Sequence, residues 1–195
     1  MALKIDDLII KLANTITDDT LFNPYNQICK DFDISTGPGV RQGNLRIYLE
    51  KHLDSRTDTI WIFDTAGYHS SKLTGVPLVG PSNYSKVEET LGLENRFENA
   101  NKNGAVSSSA EESTKLWETL SKKHNPPLVW NLLPFYPHQA NEISVKRTPE
   151  KEEYLKYAEF THLVLEIFGL KKIVAMGHRA QKALDLIHIK SELHI

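Results

Sequence analysis

Three short, nearly unbroken apolar runs constrain this chain more than anything else in it. They are Thr59-Ile60-Trp61-Ile62-Phe63, Leu128-Val129-Trp130-Asn131-Leu132 and Lys172-Ile173-Val174-Ala175-Met176. None alternates as a half-exposed strand does, so each belongs in a parallel sheet covered on both faces. Amphipathic stretches separate them. Ile5, Leu8, Ile9, Leu12 and Ile16 predict a helix near 4–17; Leu45, Tyr48, Leu49 and Leu53 predict one near 43–55. Another is expected at about 111–123, stopped before Asn125-Pro126-Pro127. The longest is expected at 149–168, with Leu155, Ala158, His162 and Leu165 on its inner stripe, Pro149 in its first turn and Gly169 as its C-cap. Gly177 should turn the third strand straight into a further helix, and 192–195 can begin a fourth strand. The stretch from 65 to 110 is rich in Gly, Pro, Ser and Asn and reads as mostly loop, its later part either mobile or a lid. The expected fold is therefore α/β, a three-layer α/β/α domain spanning 1–195 around a central, mostly parallel four-stranded sheet.

Composition narrows the function. A net charge of -2 and a pI near 6.4 mean that any contact with nucleic acid must come from a local basic patch. Cys29 is the only cysteine, so neither an internal disulfide nor an iron–sulfur cluster is expected. The remaining histidines, His52, His124, His162, His188 and His194, lack metal-ligand spacing and read as surface or satisfied core groups; no metal or other cofactor is expected. The first residues do not read as a signal peptide, and no run approaches the roughly 18 apolar residues of a membrane span, so a cytoplasmic protein with no membrane partner is expected.

Ligands of parallel α/β sheets bind at the carboxyl ends of the strands. The first end carries Asp64-Thr65-Ala66-Gly67-Tyr68-His69. Its carboxylate can activate water or stabilise a cation, or it can simply cap the turn. At the second end, Asn131 can read the edge of a base or bond the backbone of its own proline-rich turn. The third end, Gly177-His178-Arg179-Ala180-Gln181-Lys182, can hold a phosphate on a helix N-terminus or be an ordinary solvated helix start.

Taken in order, these segments resemble the uracil-DNA glycosylase superfamily, in particular its cluster-free bacterial branch. Phe63 to Leu78 resembles that branch's G-E-A-P-G-Y-x-G-C-R-L-T-G-V-P-F stretch, and Asn23-Pro24-Tyr25 its Asn-Pro-Tyr. Arg41, Asn44, Leu45, Tyr48 and Leu49 match its Arg-x-x-Asn-Leu-x-x-Tyr-Leu helix. Trp130 to His138 matches W-N-x-x-P-F-x-P-H, and Val174 to Leu184 matches V-A-x-G-x-x-A-Q-x-A-L. The similarity runs from about residue 20 to the end.

The resemblance implies a base-excision DNA repair protein that hydrolyses the N-glycosidic bond of uracil or another deaminated base flipped from DNA. Asp64 would be the catalytic carboxylate. Tyr68, Leu78, Asn131 and His138 would form the base pocket, with Asp64 and Asn131 facing each other across it. Lys72, Lys146, Arg147, His178, Arg179 and Lys182 would meet DNA phosphate around the rim. The pattern is departed from at Phe63, where the motif begins with Gly, at Thr65, and at Leu78, which replaces a stacking Phe worth roughly 1–3 kcal/mol. The family's His-Pro-Ser motif would follow the last strand, where this sequence stops at Ile195 as if cut short. Weak activity is therefore expected. Two other classes stay open: a superfamily member that binds nucleic acid or a free base without cleaving, and an unrelated small-molecule enzyme on the same architecture.

Overall fold

The computed structural model describes residues 2–30, 32–102 and 111–194. Along the chain, α1 (Ala2–Asn14) leads to β1 (Leu21–Phe22), α2 (Gly37–Asp54) and β2 (Thr59–Thr65). There follow α3 (Ser71–Thr74), a 3-10 turn at Pro81–Asn83, α4 (Tyr84–Leu91) and α5 (Glu111–Leu120). β3 (Leu128–Leu133) precedes a hairpin of β4 (Tyr136–Gln139) and β5 (Glu142–Lys146), then α6 (Lys151–Phe168). β6 (Lys172–Met176), α7 (His178–Leu186) and β7 (Glu192–His194) follow. One sheet has the order β3-β2-β6-β7 and every neighbouring pair in it is parallel; a second, antiparallel sheet has the order β1-β4-β5.

β3 is buried at every position although it is an edge strand. A buried edge must find partners for its outward N–H and C=O groups. The Tyr48 hydroxyl of α2 supplies them at Val129, accepting from the N–H at 2.8 Å and donating to the carbonyl at 3.1 Å. The other side of α6 from solvent packs on this strand. Trp130 faces it and donates its indole N–H to Thr161.

Local periodicity placed the helices well but not always their inner faces. α1 buries Ile5, Leu8, Ile9 and Leu12, whereas Ile16 is 87% exposed because the helix has already ended at Asn14. The Asn23 and Asn26 side chains donate to the carbonyls of Leu12 and Ala13 at the end of α1 and to that of Thr15 just beyond it. On α6 the buried stripe is Tyr154, Tyr157, Phe160, Thr161, Val164 and Ile167, one residue round from the expected one, and Leu155 is exposed. The aromatic residues decide the rotation: Phe135 meets the Tyr157 and Phe160 rings edge-on at 4.8 and 5.7 Å. Gly169 caps α6 in the left-handed conformation as expected, while Pro149 lies before the N-cap, Glu150, which forms a capping box with Glu153. α4 occupies part of the stretch expected to be loop. Of the expected lid, 103–110 lies outside the described residues. The preceding part is tied down, with Asn44 bonding both the N–H and the carbonyl of Glu98, and Ala100 accepting from Ile34.

The Asn-Pro-Tyr and Arg-x-x-Asn segments serve as a frame. Arg41 is fully buried; it clamps both Asp33 oxygens at 2.9 and 3.0 Å and donates to the carbonyls of Pro24 and Gln27. Asn44 donates to Thr74 O and Tyr25 to Gly75 O, which fixes the loop after α3. Gly75 has φ +77°, and a Cβ there would lie 2.4 Å from Arg41 O, so glycine is required twice over. His52 is buried against the Tyr48 ring, its Nε2 without a hydrogen-bond partner, and burial pulls its pKa to about 3, so the ring is neutral rather than a satisfied core group.

Candidate active site

Asp64 lies inside β2, one residue before the strand ends. Its side chain emerges on the face covered by α6, where Tyr154 donates a hydrogen bond to its Oδ1. In front of it is a cleft of about 340 Å³ at the carboxyl ends of β2 and β6. Phe63, Asp64, Ser70, Leu78, Glu112, Lys146, Gly177, His178 and Arg179 are among the residues that line it. Gly177 has φ +90° and ψ 161°, a region open essentially to glycine alone, and this lets β6 turn within one residue into α7. The turn delivers His178, Arg179 and the free N–H groups of the helix start to the cleft. Lys146 stands among Asp64, Glu112 and Arg179. The surrounding protein displaces water from its ammonium and lowers its pKa, Asp64 and Glu112 pull the other way, and Arg179 adds to the lowering.

The expected residues do not all meet here. Asp64, Leu78, Lys146, His178 and Arg179 share the cleft. Asn131 does not line it, and the expected pairing of Asp64 with Asn131 across one pocket does not hold. The register pairs Asn131 with Phe63, not with Asp64. Since successive strand residues point to opposite faces, Asn131 emerges opposite Asp64. It is 2% exposed and donates to Ser71 Oγ at 2.8 Å, while its Oδ1 has no partner among the described residues. The same Ser71 oxygen accepts from Leu78 N–H, and Leu78 O accepts from Ser113 and from the Trp117 indole. These bonds hold Leu78 at φ +54°, a conformation unfavourable for a branched side chain.

Tyr68 and His138 belong to a neighbouring aromatic cluster rather than to the cleft. Tyr68 lies 5.5 Å from Tyr136 and edge-on to Phe32 at 6.5 Å, and His138 stacks on Tyr136 at 6.1 Å. Lys72 is corrected most sharply. It is 1% exposed and cannot meet a phosphate on the rim. Its ammonium sits 4.4 Å from the Tyr68 centroid, 5.1 Å from Phe32 and 5.3 Å from Phe22, a cation–π enclosure that includes the Cys29 thiol and in which it has no oxygen or nitrogen partner among the described residues. Burial lowers its pKa, opposed by Cys29 and Asp33. Arg147 is also committed elsewhere, in a two-pronged ion pair with Glu153 at 2.5 and 2.8 Å and a bond to Thr20 Oγ1. Glu153 raises its pKa further. Lys182 lines a second groove of about 490 Å³ with Pro149, Lys151, Tyr154 and Leu186; Arg179 lines both this groove and the Asp64 cleft.

Tyr154, Ser71 and Glu112 carry no sequence signal that would attach them to this site. Tyr154 alone was within reach, had the aromatic spacing of Tyr154, Tyr157 and Phe160 been taken for the inner face of α6. Among the described residues no group of His, Cys, Asp and Glu side chains can hold a metal ion, and no helix is long and apolar enough to cross a membrane. The chain matches no protein-family model and no curated protein.

Proposed function

We propose that this chain is a uracil-DNA glycosylase-like repair protein that hydrolyses the N-glycosidic bond of uracil or another deaminated base in DNA. The observation that carries the reading is Asp64, presented near the carboxyl end of a parallel strand to a cleft that Lys146, His178 and Arg179 also line. Breaking an N-glycosidic bond places positive charge on the sugar and negative charge on the departing base. A fixed carboxylate serves the first need, and Lys146, Arg179 and the start of α7 serve the second or hold a flanking phosphate. The order of the motifs and the parallel strand order β3-β2-β6-β7 agree with this assignment.

Asn131 and Lys72 supply the observation favouring a second reading, in which the protein binds nucleic acid or a free base without cleaving it. Both are drawn away from the cleft into bonds or rings of their own. One assay separates the readings: release of uracil, hypoxanthine and xanthine from single- and double-stranded DNA, with Asp64→Ala alongside. The glycosylase reading expects slow release, fastest on single strands because no pairing must be broken. Asp64→Ala should lower it by roughly 10²-fold or more, as the loss of a group stabilising transition-state charge does. Binding of uracil-containing DNA with no base released would establish the second reading; release undiminished in Asp64→Ala would remove Asp64 from the mechanism.

A further inference from the structure

The partner that reaches Asp64 comes from a distant part of the chain. Tyr154, in the first turn of α6, donates its hydroxyl to Asp64 Oδ1 across a separation of 90 residues. The start of α6 is itself anchored. Glu150 and Glu153 close its capping box, and Arg147 grips Glu153 while reaching back to Thr20 beside β1. The Tyr154 hydroxyl is thus held at the end of a fixed helix, and the residue also lines the neighbouring groove. The other ionisable groups around the pair are Lys146 from β5, His178 and Arg179 from α7 and Glu112 from α5, with Glu153 beside the phenol.

We propose that Tyr154 is the positioning residue of this site, holding the Asp64 carboxylate in one orientation so that its second oxygen is offered to the cleft. The inference rests on the reading of that cleft as the place of chemistry. A carboxylate at a strand end can otherwise turn about its terminal bond, which has a broad and shallow torsional preference. A donor on one oxygen removes that freedom. A carboxylate fixed in this way suits electrostatic support of a cationic sugar. A phenol donates only while it keeps its proton; burial first, then the bond to Asp64 and its charge, raise the pKa of Tyr154, so it remains a donor throughout the neutral range.

Two measurements decide the matter without reference to turnover. The phenolate absorbance of Tyr154, isolated by difference from Tyr154→Phe, is titrated in wild type and in Asp64→Asn. Losing the neighbouring anion should lower the Tyr154 midpoint by about one pH unit or more. Protein labelled with ¹³C at the aspartate carboxyl should show the Asp64 resonance, assigned by its loss in Asp64→Asn, shifted in Tyr154→Phe while other carboxyl resonances stay in place. Tyr154→Phe keeps the ring and its packing, and unchanged amide spectra away from β2 and α6 would establish that the variant folds. An unmoved phenol midpoint or an unmoved Asp64 resonance overturns the proposal. Where base release is measurable, Tyr154→Phe should lower kcat about tenfold or more with KM nearly unchanged; full kcat in Tyr154→Phe also overturns it. If wild type releases no base while both spectroscopic effects appear, the orientation of Asp64 by Tyr154 stands and the glycosylase reading fails.

Discussion

Removing the Arg41 guanidinium should unfold this protein more readily than any comparable change at its surface. Arg41 and Asp33 have side chains 0% and 1% exposed, so neither charge has recourse to water. Arg41→Leu would leave the Asp33 carboxylate with the Cys29 N–H at 2.8 Å as its remaining described hydrogen bond. The Pro24 and Gln27 carbonyls would also lose the donors they now have at 2.5 and 2.7 Å. Breaking a buried pair by deleting one member costs about 3–5 kcal/mol, chiefly the penalty of an uncompensated charge. Domains are stable by only about 5–15 kcal/mol, so a large share of the total is at stake. At roughly 2–4 °C per kcal/mol for a chain of this size, Tm should fall by about 6–20 °C. Urea unfolding followed by circular dichroism gives the free energy directly. Asp33→Leu combined with Arg41→Leu should cost less than the two single losses added together, since the second change removes the stranded charge. Simple additivity in that cycle, or a single-variant loss below about 1 kcal/mol, would refute the reasoning.

Lys72→Met keeps the stem and the ring contacts but removes a buried ammonium, so it should be neutral or stabilising by about 1 kcal/mol or more at neutral pH, in chemical denaturation. The sign with pH follows from the lowered lysine pKa: above the folded value and up to 10.5 the unfolded chain binds more protons, so wild type should gain stability relative to Lys72→Met as pH rises through that window. A difference between the two proteins that is independent of pH would contradict this. Gly75→Ala must accommodate both φ +77° and a backbone oxygen 2.4 Å from the new carbon; a loss of about 1–3 kcal/mol or more is expected in the same melts, and an unchanged midpoint would show the loop to be free to move.

Much of the fold is legible along the chain because strands, caps and turns are short-range affairs. The run 59–63 is apolar and β-branched enough to be a buried strand in almost any context, and β6 and α7 meet at Gly177 as expected because only glycine makes that turn. Gly169 ends α6 for a similar reason. The hairpin of β4 and β5 was harder to see, since Pro134 and Pro137 mask a strand that pairs with β1 on one side and β5 on the other. The rotation of α6 was not legible either. Two stripes, through Leu155 or through Tyr154, are both apolar in part, and the choice falls to whichever ring meets Phe135.

The site divides along the same line. That a carboxylate, an amide and a basic helix start lie towards the carboxyl ends of three strands was determined by the sequence alone, because Asp64 and Asn131 lie within their own strands and the helix start lies directly beyond its strand. Which of them face one another was decided only in three dimensions. Register across β2 and β3 pairs Asn131 with Phe63 and so puts Asn131 and Asp64 on opposite faces, a matter of parity that no local pattern contains. The burial of Lys72 among Phe22, Phe32 and Tyr68, and the arrival of Tyr154 at Asp64, depend on residues far apart in the chain. Such contacts are settled by packing, and a one-dimensional reading has no term for it.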